Sequence, residues 1–440
     1  MAQQQHWTRR RVLGTSVAGA AALGAGRTRS ALAAPALVKG SKLTYWGGLI
    51  FSDKANKLLV DTVNKWGADN GIQTEVVMIN QNETVQKVSA AVASNTMPDA
   101  LDLSLDLLLL LSRQGVFMAV DDVFEGIGKA HGGWFPSVAA AAGTAKHNGA
   151  RTGIPFGGSG NLILRRNDVL TKAGFTKGPA TWEELVTQAA AVNKPPLFGL
   201  GLALSNVGDG NLQVSTMQSY GGRIADDTGK QAAIKSEATR AYLQWVKAAW
   251  DKKVFPPGNT TWDGAGDNQA YLSGQAVFIA NTGSVAIAAK GQDPELFAAT
   301  AYSPLPAGPK GTISPINLNL RAIPAASKNP DAAKALIEHL AQPAFMEAYY
   351  DVAIYGPVLE SQAKLAPYSG KNPILSGLLE LIRSGTAPGY PDVYNAAYAE
   401  TYINFIVPKM VQRVVVDSWE LDRAMDEAQT STQAIYDKYK

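Results

Sequence analysis

The sequence predicts an α/β protein of more than one lobe. Two observations carry that class. Strand-like and helix-like runs alternate through the first part of the chain, and 440 residues at 46% hydrophobic content are long enough for two or more compact lobes. Lys42-Leu43-Thr44-Tyr45-Trp46 reads as a strand entering a turn at Gly47-Gly48, with a helix expected over 52–70 and a second strand over 74–78. A helix over 84–93 leads through Pro98-Asp99 into a strand over 100–103, then a leucine-rich helix ending before Gly115. That alternation implies a parallel sheet, which presents ligands at the carboxyl ends of its strands.

The stretch from Gly149 to Leu185 is the most informative. Ile154-Pro155-Phe156 is extended around its proline, and Gly157-Gly158-Ser159-Gly160 gives backbone freedom where another chain segment or a ligand comes close. A short buried strand is expected over 162–164, and a brief helix over 168–173 stops at Gly174. Thr181 followed three residues later by Glu184 is a capping box that opens a helix through Val192. Further on, a helix is expected over 236–251 and a strand over 276–280.

The amino terminus is read apart from the fold. Thr8-Arg9-Arg10-Arg11, a weakly apolar run to Gly26 and Ala31-Leu32-Ala33 have the order of a twin-arginine export signal with a small-residue cleavage site, residues 1–33. Those residues hold five of the 40 Lys+Arg and none of the 37 Asp+Glu, so the mature formal charge is −2. A basic surface for nucleic acid or an anionic membrane is therefore not expected. With no cysteine there is neither a disulfide nor a lipid-attachment site, which points to a free periplasmic protein. Leu107 to Leu111 is too short to span a bilayer.

Thr152-Gly153-Ile154-Pro155, Asn167-Asp168 with Ala173-Gly174, and Pro179-Ala180-Thr181-Trp182-Glu183-Glu184-Leu185 together resemble the family 1 extracellular solute-binding proteins of ABC importers, of the maltodextrin-binding type. The resemblance extends upstream to Asn95 through Asp99 and to Gly115 with Val120-Asp121. Downstream it reaches Gly221-Gly222, Pro304 through Pro309, and Ala322-Ile323-Pro324 before Ser327-Lys328-Asn329-Pro330. It implies a two-lobe periplasmic-binding-protein fold, each lobe a mostly parallel sheet flanked by helices, with three crossings near Gly157–Gly160, Tyr302-Ser303 and Pro343. The lobes it implies are 34–158 with 304–342, and 159–303 with 343–440.

Binding a polyol needs aromatic faces against sugar C–H surfaces and fixed carboxylates or amides for paired hydroxyls. Gly48 and Phe51 follow the first strand, whereas Trp46 fits a core position. Asp106, nine residues before Gly115, matches a cleft aspartate of the family, with an N-cap role as the alternative. Ser159 falls where relatives carry a ligand-contacting glutamate. Asp209 and Asn211 match a cleft loop or form a plain turn. Trp262 and Asp263 are an aromatic–acid pair before the Tyr271 helix, or a staple at a helix entrance. Asn281 and Thr282 stand where maltodextrin binders place a stacking tryptophan, so a smaller ligand is implied. Asn319, in Asn317-Leu318-Asn319, and Tyr355 and Tyr394, in late loops, complete the set, with packing as the alternative for each tyrosine.

The expected function is periplasmic capture of a mono- or disaccharide, polyol or glycoside for a membrane permease driven by a separate ATPase. The protein is expected to act as a monomer, without cofactor or metal, and to catalyse nothing. Only four histidines occur, and no zinc-protease, Walker, nucleophile-elbow or dinucleotide motif is present. A binder of another small polar solute, or a secreted carbohydrate hydrolase acting through two converging acids, are the alternatives. Asp106 and Trp262 are expected to meet the ligand from opposite lobes.

Overall fold

Alternation of apolar and polar residues builds the first strand, in which Leu43, Tyr45 and Gly47 turn to the buried side. The computed structural model describes residues 37–370 and 372–440; the export signal expected over 1–33 lies outside them. Among the described residues eleven strands occur in all: β1 (Lys42–Leu49), β2 (Gln73–Asn80), β3 (Ala100–Ser104), β4 (Lys146–His147), β5 (Ala150–Arg151), β6 (Gly153–Ser159), β7 (Leu162–Arg166), β8 (Phe198–Gly201), β9 (Ala276–Asn281), β10 (Thr300–Ser303) and β11 (Asn317–Ala322). They form a five-stranded sheet in the order β2-β1-β3-β11-β6, a four-stranded sheet in the order β10-β7-β9-β8, and the small β4-β5 pair.

Both large sheets are mixed. β1 pairs in parallel with β2 and β3, but β11 runs antiparallel between β3 and β6. In the second sheet β8 and β9 are parallel, while β7 and β10 are not. The expectation of mostly parallel sheets is thus corrected. β7 enters from the other sheet by a short crossing and β11 by a longer one, and no crossover helix sets the direction of either. The geometry still gathers the ends that matter. Leu49, Ser104, Ser159 and Asn319 stand at one edge of the first sheet, and Asn281 and the segment after Gly201 stand at the facing edge of the second.

The helices start and stop where local chemistry directs. Ser52 accepts from the Ala55 backbone N–H to open the helix Asp53–Asn70, which ends on Gly71 in the left-handed region. Thr181 caps the helix Trp182–Val192 through the Glu184 N–H, and Glu184 reaches back to the Ala180 N–H at 2.8 Å. Two hydrophobic clusters result, one under the first sheet and extending beneath part of the second, the other around Trp182, Met217, Tyr242 and Phe278.

The crossings fall in part where expected. The chain passes from β6 to β7 at Gly160-Asn161. The second passage comes after Ser303 but is drawn out, because Leu305 is buried in the second core and the Lys310 N–H donates to Ser219 O at 2.8 Å. No crossing occurs at Pro343. The helix Pro343–Val352 packs on the helix Asp53–Asn70, and Tyr350 donates to Phe156 O at 2.9 Å, so apolar burial keeps this segment with the first sheet. The chain commits to the second core only beyond the helix Pro373–Ser384, which lies across β6 and β10.

Gly157 shows how tightly the first crossing is packed. A Cβ there would lie 2.6 Å from the Tyr355 ring, itself edge-on to Phe156. Gly157→Ala is expected to destabilise the protein by about 1–3 kcal/mol through overpacking, read from urea midpoints. An unchanged midpoint would show that Tyr355 yields freely.

Candidate functional site

Between the facing strand ends lies a cleft of two connected compartments, about 590 Å³ and 320 Å³. Gln81, Ser104, Ser159, Asp209, Thr282 and Asn319 border both, so they form one continuous site. At its mouth the Gln81 side chain, just after β2, donates to Gly264 O at 3.3 Å and bridges the two walls.

Asp106 sits in the first turn of the helix Leu105–Ser112, after β3, and lines the larger compartment. It is not the N-cap; Ser104 holds that position. Its carboxylate accepts from the Tyr394 hydroxyl at 2.7 Å, and burial pushes its pKa up to about 6 against the pull of that bond. Asp209 projects from the turn Gly208–Asn211 beyond β8. Burial holds it well above the usual carboxylate range, and the like charges of Asp267 and Asp263 add to the effect. Asn211, buried beside it, donates to Tyr402 O at 3.3 Å.

Most of the other expected residues also reach the cleft. Ser159, Thr282 and Asn319 line both compartments, and Gly48, Phe51 and Tyr355 line the smaller one. Asn281 borders the smaller compartment, but its amide is occupied by Asp267 at 2.7 Å, Asn268 at 3.0 Å and the Gly283 N–H at 2.8 Å. It shapes the loop that carries Thr282. Trp262 and Asp263 line neither compartment. The Trp262 ring lies over Gly266, where a Cβ would come within 2.3 Å, and Asp263 accepts from the Ala265 N–H at 2.9 Å. They form the helix entrance, so the pairing of Trp262 with Asp106 across the cleft is corrected. Trp46 packs against the first core, as its strand spacing suggests.

The aromatic wall comes from Tyr394, Tyr398 and Tyr402 instead, the last two on the helix Ala396–Ile403. Tyr398 and Tyr402 stack with centroids 6.3 Å apart and planes at 18°, and Tyr394 tilts against Tyr398 at 5.5 Å. Their spacing of four places them on one helical face, a signal present in the sequence. Gln218 was also missed. Asp392 accepts from its amide at 2.9 Å and fixes it in the wall. The smaller compartment further contains Asp102, which accepts from the Gly48 N–H at 3.2 Å. Among the described residues no cluster of potential metal ligands occurs.

This fold and cleft define a two-lobe binding protein, and comparison places the chain. Residues 61–375 match the model of the bacterial extracellular solute-binding protein family, to which the chain therefore belongs. A protein of Brucella abortus (strain 2308) named as a binding protein is 22% identical over 400 residues, 88% of this chain and 92% of its own length. Among solved structures, the maltose-bound MalE3 of T. maritima superposes with a TM-score of 0.79 at 20% identity, covering 90% of this chain and 100% of that one. An ABC transporter solute-binding protein of Agrobacterium radiobacter K84 in complex with ribitol also gives 0.79, at 19% identity and coverages of 90% and 99%. The two-lobe architecture is thus that of the MalE-like binding proteins.

Asp106 links the site to stability. Because its folded-state pKa is raised from 3.8 to about 6, the folded protein holds that proton more tightly than the unfolded chain. The resulting stabilisation is complete below the ordinary value and is lost as pH rises through about 6. Ligand-free Asp106→Asn is expected to gain in melting temperature relative to the parent between pH 4 and pH 7.5. A parent–variant difference that is constant across that range would show that Asp106 does not titrate there.

Proposed function

We propose that this protein is the substrate-capturing component of an ABC importer in the periplasm, binding a carbohydrate or polyol in the cleft and delivering it to membrane permease subunits. The observation that carries this reading is the pairing of fixed carboxylates and amides with a tyrosine wall in one cleft of about 590 Å³. Aromatic faces suit sugar C–H surfaces, and the acids and amides suit hydroxyls. That volume suits a mono- or disaccharide or an alditol. Maltose and ribitol in the superposed proteins support the class.

Capture follows from geometry. Asp106 and Ser159 come from one wall and Asp209 and Thr282 from the other, so a ligand meets all four only when the walls approach. Differential affinity for that closed arrangement drives closure. The protein works as a monomer without cofactor and returns its ligand chemically unchanged. Arg9-Arg10 directs export of the folded chain.

A thermal-shift screen against sugars and alditols tests the class. A true ligand at about 100 times its dissociation constant adds about 2.7 kcal/mol to stability. Small-angle scattering should then show compaction on binding, and a radius of gyration that does not fall at saturation rules out closure. For the compartment, replacing Arg9 and Arg10 together with lysine should leave precursor in the cytoplasm; normal export of that variant refutes the twin-arginine assignment.

A further inference from the structure

The larger compartment carries charge of one sign. Asp106 and Asp209 both line it, and among the described residues lining either compartment there is no lysine, arginine or histidine. Asp102, in the smaller compartment, is different, because Arg321 lies 3.5 Å behind it. Asp106 has the Tyr394 hydroxyl as its side-chain partner, and the charged groups acting on Asp209 among the described residues include no cation. The charged neighbours acting on Asp209 are Asp263 and Asp267, which have its own sign.

Two neutral groups point the same way. Asn211 and Gln218 are 4% and 1% exposed, and their side-chain oxygens have no hydrogen-bond partner among the described residues. Their nitrogens are engaged, by Tyr402 O for Asn211 and by Asp392 for Gln218, so the free valences are acceptors. Both residues line the same compartment as the two carboxylates. The two oxygens themselves are enclosed by the protein, so what they add behind this wall is unmatched acceptor capacity with no positive charge. Next to these acceptors stands the stacked Tyr398–Tyr402 pair, and both Asp106 and Asp209 act electrostatically on the Tyr402 hydroxyl.

An anionic solute has no counter-charge in this cleft and is repelled. A neutral sugar can donate to the carboxylates, but closure over it brings no counter-charge, so each acid is buried either charged or with a newly bound proton. An ammonium group supplies donors without adding an acceptor, brings the missing positive charge, and favours an aromatic face. We infer that the ligand is an amine-bearing polyol, an amino sugar or amino alditol, whose ammonium is held by Asp106 and Asp209 against the Tyr398–Tyr402 wall. The inference rests on the importer reading and names the ligand class within it.

Calorimetric titration of the mature protein with matched sets tests it: glucosamine, glucose and N-acetylglucosamine; galactosamine, galactose and N-acetylgalactosamine; 1-amino-1-deoxyglucitol and glucitol; 1-amino-1-deoxyribitol and ribitol. In at least one set the amine should bind tenfold or more tightly than its hydroxyl and N-acetyl counterparts. In Asp209→Asn that advantage should shrink at least tenfold, while the ligand-free melting temperature does not fall, because the charge removed had no ionic partner. If hydroxyl members bind and no amine exceeds them, the amine assignment is overturned while the carbohydrate reading stands. If no member binds, the amine assignment is overturned, and the thermal-shift screen, which includes disaccharides, decides the carbohydrate reading separately. An amine preference that survives Asp209→Asn at full strength refutes the role given to Asp209.

Discussion

Arg321 is the charge around which the first sheet is assembled. It is 1% exposed, and its Nε donates to the Tyr45 hydroxyl at 3.1 Å while lying 3.5 Å from Asp102. Its guanidinium also sits 4.1 Å over the Phe156 ring. These partners come from β1, β3 and β6, so one side chain on β11 ties together four of the five strands. A buried guanidinium cannot be left without its anion, and a shift of β11 by one residue would turn Arg321 to the opposite face. The register that satisfies this charge also puts Asn319 opposite Ser104 at the edge of the cleft. Burial raises the Asp102 pKa, and Arg321, Tyr45 and the Gly48 N–H oppose that rise, so its negative charge is answered from within the sheet.

The family motifs legible in the sequence mostly mark staples of this frame. Asp99 accepts from the Thr44 N–H at 2.9 Å and from the Ser327 hydroxyl at 2.8 Å, joining two motifs more than two hundred residues apart. Asp121 accepts from the Arg151 backbone and side chain, at 3.0 and 3.1 Å, and fixes the entry to β6. Such residues are readable because their chemistry is local in pattern: a turn, a cap, a Pro-Asp pair. The antiparallel placement of β11 and the late return of the chain were not readable, since both depend on burial between distant segments. Tyr349 and Tyr350 illustrate this, being plain aromatics in sequence and core residues of the first lobe in space.

The site was legible to the extent that it hangs on strand ends. Asp106, Ser159, Asp209 and Asn211 follow or end strands that face the cleft and stand where the family resemblance places contacts, while Asn319, near the start of β11, is marked by the alternation of Asn317-Leu318-Asn319. Trp262 misled because an aromatic beside an acid satisfies a helix entrance as well as a sugar site, and one glycine decided the matter: Gly266 leaves room for the indole on the protein's own backbone. Tyr398 and Tyr402 were passed over although their spacing is helical. A tyrosine stripe is usually core, and only the packing of the helix Ala396–Ile403 on the helix Leu105–Ser112 turns this one toward Asp106.

That arrangement explains why the cleft holds destabilising groups. The protein answers Asp102 with a buried arginine, yet Asp106 has only a tyrosine hydroxyl, and Asp209 faces like charges. Closing the walls without a ligand removes water from both carboxylates, with little given in return. On the proposed capture mechanism, a ligand that donates hydrogen bonds reverses that balance only in the closed state, because the partners proposed for it are divided between the two walls. Groups that make the empty closed form costly therefore widen the difference in closure between the free and loaded protein. A chain that had neutralised these acids for stability would close more readily when empty, and closure would then report the ligand less faithfully.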